Sequence, residues 1–278
     1  MMPARRRPGK GLAAALVAVV LAGCANTATA TNADEAMVIE LSVGGGLAPP
    51  AVRVSDSLPR VWVGGDGRYL RQAPDAPATA ALPRLEERRI SQTALADLLD
   101  QARRAGLLAD NPDYGSPGIA DAMVTRIVIV TGGVRRQVLV SALGYPNTGL
   151  DDAALAARAR LAEFIEVLQH PERVAGASEP TAYRPAGIAV FVLGAADTSA
   201  EKPPATWPFG DLGAAGAPSD WPAGAARCLV VGGDEVTSVA NAAAGQDRFT
   251  PWRAGDGLWD IGLRPLLPDE HRCADVVS

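Results

Sequence analysis

Met123-Val-Thr-Arg-Ile-Val-Ile-Val-Thr131, then Gly132-Gly133, then Val134-Arg-Arg-Gln-Val-Leu-Val-Ser141, carries the reading of the fold. β-Branched residues fill both flanks, and the paired glycines supply the positive φ angles a tight turn needs, so the stretch predicts an antiparallel hairpin. Outward on the C-terminal side, Asp151 or Asp152 caps a helix whose Leu161, Phe164, Ile165 and Leu168 share one face before His170-Pro171 stops it. Outward on the N-terminal side, Ser91 caps a helix with Leu95, Leu98, Leu99 and Ala102 at i, i+3, i+4 and i+7, and Gly106 ends it. Before that, Val38, Ile39 and Leu41 begin a strand ending at Gly44-Gly45-Gly46. Arg60-Val-Trp-Val63 then turns through Gly64-Gly65-Asp66-Gly67 into Arg68-Tyr-Leu70. Strands followed by helices, without strict alternation, predict an α+β domain over residues 37–173.

Residues 174–186 read as a linker, and residues 187–278 as a smaller α+β domain. Ile188 to Leu193 is a short apolar strand, and the Pro-, Gly- and Ala-rich stretch from 195 to 225 reads as a long surface loop. Cys228 to Val231 forms a strand; Asp234 caps a helix carrying Val236, Val239, Ala240 and Ala243, which Gly245 ends. Phe249 to Arg253 and Leu258 to Leu263 flank Ala254-Gly-Asp-Gly257 as a last hairpin. The fold class expected is α+β: two small units of antiparallel strands packed with amphipathic helices.

The N-terminus follows other rules. Arg5, Arg6, Arg7 and Lys10 precede an apolar run from Leu12 to Ala22, the two-part pattern of an export signal. That run, as a helix, covers about 17 Å against a hydrocarbon core of about 30 Å, too short for a permanent span. Leu21-Ala22-Gly23-Cys24 resembles the lipobox of bacterial lipoproteins. The resemblance implies that residues 1–23 are a signal peptide, that cleavage precedes Cys24, and that diacylglycerol is carried on its sulfur. Two acyl chains hold a protein stably on a bilayer, which implies the outer face of the cytoplasmic membrane. Residues 24–36, mostly small and polar, then form a tether. The paired arginines also admit export in a folded state, but Pro8 follows them and no Phe-Leu-Lys-like segment does, so the route stays open.

Removing residues 1–23 takes four basic residues and no acidic one, leaving 22 against 31, a net charge of −9. That excludes electrostatic nucleic-acid binding as a leading reading. With Cys24 lipidated, Cys228 and Cys273 remain as one pair in an oxidising compartment; the alternative is two buried thiols. A bridge between them would stabilise by about 4 kcal/mol on loop entropy.

Several motifs resemble those of a group of uncharacterised actinobacterial secreted lipoproteins. They are Arg60-Val-Trp-Val-Gly-Gly-Asp-Gly-Arg68, Asp113-Tyr-Gly-Ser-Pro-Gly-Ile-Ala-Asp121, Trp207-Pro-Phe-Gly-Asp-Leu212, Thr250-Pro-Trp-Arg253 and Arg264-Pro-Leu-Leu-Pro268. These are turn and packing motifs, so the resemblance implies export and lipidation but no catalytic or binding residue.

Chemistry-bearing candidates are few. His170 sits at a helix end, where a cation suits the dipole, and His271 lies beside Cys273. His271, Cys273 and Cys228 offer three zinc ligands only if the cysteines are reduced, so no metal and no cofactor is expected. The elbow, Ser-x-x-Lys and His-Glu-x-x-His signatures of hydrolases are absent from the sequence. Glu86, Glu87, Asp151 and Asp152 read as a solvated strand edge and a helix cap before they read as an acid/base pair. Gly232-Gly233-Asp234 resembles a phosphate loop, but Asp234 places a negative charge where the phosphate would sit. Trp207, Trp221, Trp252 and Trp259 all fall in the second unit, as the core of a small domain or as a candidate aromatic binding surface for a protein or a cell-wall glycan. The expectation is a lipid-anchored, non-enzymatic binding module; the rival is an extracytoplasmic hydrolase with an unrecognised site.

Overall fold

The computed structural model describes residue 1 and residues 36–45, 47–197, 202–222 and 226–276. The expected signal peptide, Cys24 and the tether up to residue 35 lie outside the described residues. From residue 36 onward the chain belongs to one compact unit containing helices and two largely antiparallel sheets. Among the described residues no helix is long and apolar enough to cross a membrane.

The first sheet takes β1 (Met37–Gly44), β2 (Val61–Gly64), β3 (Arg68–Gln72), β4 (Leu85–Arg89), β5 (Val124–Thr131), β6 (Val134–Ser141) and β7 (Thr181–Ala182) in the order β6-β5-β1-β2-β3-β4-β7. Every neighbouring pair is antiparallel. The hairpin expected from the sequence is β5–β6, in register from Thr131↔Val134 to Val124↔Ser141. Among the described residues two helices cover this sheet, α2 (Gln92–Arg104) and α3 (Asp152–Gln169), while the short α1 (Pro50–Asp56) follows β1 in the chain. Ser91 and Asp151 cap α2 and α3 as expected, each accepting from the backbone N–H three residues on. Strand period 2 then meets helix period 3.6. Ile39, Leu41, Val61, Val63, Ile127 and Ile129 point to one face, where Leu95, Leu98, Leu161, Phe164 and Leu168 cover them. Each such side chain, fully buried, contributes about 1.5–3 kcal/mol.

The second sheet takes β8 (Gly187–Ala195), β9 (Ala205–Thr206), β10 (Ala217–Ser219), β11 (Ala226–Gly232), β12 (Trp252–Ala254) and β13 (Gly257–Pro265), in the order β10-β11-β8-β13-β12-β9. Only β9 runs parallel to its neighbour. The helix α4 (Asp234–Ala243) covers one face through Val239 and Ala243. It differs from expectation at its start: Gly233 stands at the cap with φ 57° and no side-chain bond, and Asp234 and Glu235 occupy the first turn, where they complement the dipole. The short α5 (Cys273–Val276) lies against the other face, tied by a disulfide between Cys228 and Cys273.

The two sheets are not strung apart. After β1 the chain leaves the first sheet, and α1 docks on the second, where Val54, fully buried, packs with Ala189, Phe191 and Leu266. Gly262 of β13 makes room for it, since a Cβ there would stand 2.7 Å from a Val54 methyl. Successive residues Leu266 and Leu267 then part, the first joining that cluster and the second joining Trp62, Leu70 and Leu85 behind the first sheet. The segment read as a linker is itself engaged. Val174 is buried, β7 pairs with β4, and the Tyr183 hydroxyl donates to the Leu266 carbonyl at 2.8 Å.

Candidate functional site

Prolines shape an apolar hollow. Pro83 precedes β4, Pro180 precedes β7, Pro185 precedes β8 and Pro265 closes β13. Lacking an N–H, a proline cannot extend a ladder, and its ring holds the backbone stiff. Four strand ends therefore stop around a cleft of about 360 Å³, completed by Leu82, Ile188, Tyr183 and the Val236 and Ala240 side of α4. Its size falls within the range of small-ligand sites.

The polar groups of this cleft are already committed. Glu86 accepts from Arg71 at 2.6 Å, and Asp75 pairs with Arg84 at 2.8 Å. Tyr183 lies under the Arg68 guanidinium, 5.6 Å from ring centroid to cation, and burial pushes its hydroxyl pKa up, so it stays a donor. Its lining is mainly apolar, and its volume can enclose an apolar group.

A second hollow, about 260 Å³, is polar and lies behind the first sheet, where Leu267 to Val276 pass over β1, β2 and β5. Trp62 donates its indole N–H to Asp269 at 3.2 Å. Burial pushes the Asp269 carboxyl above the usual range. Glu40 is held by Arg126, and Arg264, 1 % exposed, makes a bidentate fork with Glu270, which also accepts from the Leu267 N–H. This buried pair holds the end of β13 against the turn that follows it.

Comparison with protein-family models, with curated proteins and with solved structures found no match.

The four tryptophans do not form one exposed surface. Trp207 and Trp252 are buried, with ring centroids 6.0 Å apart and edge to face, and Phe209 continues the cluster from Trp207. Trp259 packs partly buried on the same side of the sheet, while Trp221 meets Phe191 edge-on within the cluster of the opposite face. Their common work is filling the core on both faces of the second sheet, beside the aliphatic side chains of β8, β11 and β13. Cys228 and Cys273 are bonded to each other, which removes both sulfurs from a ligand set with His271. Glu86 and Glu87, expected on a solvated edge, are instead mostly buried between β3 and β7 and pair with Arg71 and Arg68. Being adjacent on a strand, they point to opposite faces and form no acid/base pair. His170 ends α3 as expected, its Nδ1 2.7 Å from the Glu166 carbonyl oxygen.

Sequence reasoning missed both hollows. Their residues come from strand ends far apart in the chain, and no local spacing marks them. The one available signal is the recurrence of proline next to strand ends.

Proposed function

We propose that this chain is an exported binding module, two α+β units following a cleaved signal peptide and held to the membrane by lipid on Cys24, which encloses an apolar group of a protein partner in the proline-walled cleft. The observation carrying this reading is the cleft itself: apolar, preformed by stiff strand ends, and without uncommitted catalytic groups. Of the two partner classes suggested by the sequence, protein suits it better than cell-wall glycan. Sugars need several hydrogen-bonding side chains beside an aromatic face, and here Tyr183 already spends its hydroxyl on Leu266.

The anchor is tested by radiolabelled palmitate, expected in the wild type and lost in Cys24→Ala; label in both, or in neither, removes it. The cleft is tested with anilinonaphthalene sulfonate on the folded chain. Blue-shifted emission is expected to saturate with one equivalent and to disappear in Ala240→Phe, which fills the space without loss of thermal stability. Equal emission from both proteins refutes the assignment.

One observation favours a hydrolytic second reading: the polar hollow sets Asp269, held toward its protonated form, near a Glu40 paired with Arg126. A carboxyl with a raised pKa sharing a hollow with a second, salt-bridged carboxyl resembles the two-carboxylate arrangement of glycosidases. That reading requires cleavage of at least one of a panel of nitrophenyl glycosides, abolished in Asp269→Asn.

A further inference from the structure

The two sheets have four edges, and three of them are short. β7 and β9 have two residues each and β10 has three, so they offer little backbone for another strand to read. The fourth edge is β6, eight residues long and without a strand on its outer side among the described residues.

The turn determines what that edge presents. Gly132 and Gly133, at φ 57° and 75°, make a two-residue hairpin turn closing on the pair Thr131↔Val134. Antiparallel alternation then directs the N–H and C=O of Val134, Arg136, Val138 and Val140 to β5. Those of Arg135, Gln137 and Leu139 point outward. Ser141 is outward by the same count, and its carbonyl indeed accepts a bond from outside the sheet, from Arg158 at 2.8 Å. Three consecutive outward residues have no backbone partner among the described residues. Beside them Val134 and Leu139 are 49 % and 59 % exposed, although this chain buries most of its large aliphatic side chains.

Charge selects the occupant. Arg135 and Arg136 lie on opposite faces of β6, and neither makes an ion pair or side-chain hydrogen bond among the described residues. Arg126, one strand further in, is satisfied by Glu40. Two guanidiniums without an ion pair thus stand on this edge, Arg135 on the face of the polar hollow it helps to line, in a chain whose net charge is −5. A second copy docked edge to edge would bring four of them together with no carboxylate of β6 to answer them. A strand carrying Asp or Glu on both faces neutralises them.

We infer that β6 is a docking edge which takes up an extended acidic segment of a partner protein as an additional strand of the first sheet. It lies at the opposite end of that sheet from β7 and the apolar cleft, and it does not rest on the function proposed for that cleft.

The test uses the full chain and a fluorescein-labelled, end-blocked peptide Val-Glu-Glu-Val-Glu-Glu-Val, whose glutamates fall on both faces of a strand, with Lys- and Gln-substituted versions as controls, read by anisotropy. Gln137→Pro removes an outward N–H that the β5–β6 ladder does not use, so the fold survives while the edge loses a donor. Binding of the Glu peptide is expected to weaken at least tenfold in Gln137→Pro and with added salt. In Arg135→Glu/Arg136→Glu the preference is expected to reverse to the Lys peptide. A circular-dichroism melt checks that Gln137→Pro folds; if it does not, the charge reversal decides alone. Failure of the Glu peptide to bind, binding equal to that of the Gln peptide, or indifference to both variants overturns the inference. So does a wild-type dimer in sedimentation that Gln137→Pro dissolves, since the edge would then serve a second copy.

Discussion

Arg158 is 2 % exposed and pairs with no carboxylate among the described residues; its guanidinium instead donates to four backbone carbonyls. They are those of Tyr114, Gly115, Ser141 and Ala142, at 2.7 to 3.2 Å. Arg227 treats Ala214, Ala215 and Gly216 in the same way. A planar fork with five donors can gather carbonyls from two chain segments at once, which a lysine ammonium does with less geometric control. Arg158→Met leaves those carbonyls without a donor and is expected to cost about 3 kcal/mol. Arg158→Lys should recover less than half of that, measured by urea unfolding. At Asp269 the effect depends on pH. Burial raises its pKa in the folded chain, so its contribution to stability is fully present below the unfolded value of about 4 and is lost as pH rises through the folded value. Asparagine undergoes no such loss. The stability of Asp269→Asn relative to wild type is therefore expected to grow between pH 4 and pH 7, and a gap independent of pH would contradict the assignment.

Elements with internal repetition were legible from the sequence; those defined by their partners were not. The β5–β6 hairpin, α2 and α3 announce themselves because their spacing and caps are local: β-branched flanks around Gly132-Gly133, a four-point apolar face after Ser91, another after Asp151. The seven residues of α1 are too few to display a period, and one fully buried side chain, Val54, defines its docking. β7, β9 and β10 are two or three residues long and exist because a neighbour is there to pair with. The clefts were illegible for the same reason, since Pro83, Pro180, Pro185 and Pro265 converge only after both sheets have formed. The Val54–Gly262 contact permits a direct test of how α1 is held. Gly262→Ala forces a methyl into Val54 and should cost about 1–3 kcal/mol. Val54→Ala alone should cost a similar amount by leaving a void. Together the two are expected to cost clearly less than their sum, and simple additivity would mean that the residues do not share the space.

At the scale of the whole molecule, the sequence divides at a linker near residue 180, whereas the structure ties the halves at several points: Val54 on Gly262, the Ser55 hydroxyl with Arg248, Trp62 with Asp269, and Tyr183 with Leu266. Urea unfolding is accordingly expected to be a single transition. Trp62, the only tryptophan of the first sheet, should report the same midpoint as the four of the second when it is isolated by Phe substitution of the others. Two separated midpoints would show halves that melt independently.

Those ties also fix the order in which the molecule can be finished. Trp62 waits for a partner 207 positions along the chain and Ser55 for one 193 positions along, while β13, the strand that receives α1, comes later than every other strand. During synthesis from the N-terminus, an early helix and an early indole must therefore stay in solvent until nearly all the polypeptide has emerged. Such long waits slow folding and lengthen the time in which sticky surface is open to aggregation. A product broken off before residue 257 would lack β13 and leave the apolar face of α1 without its seat.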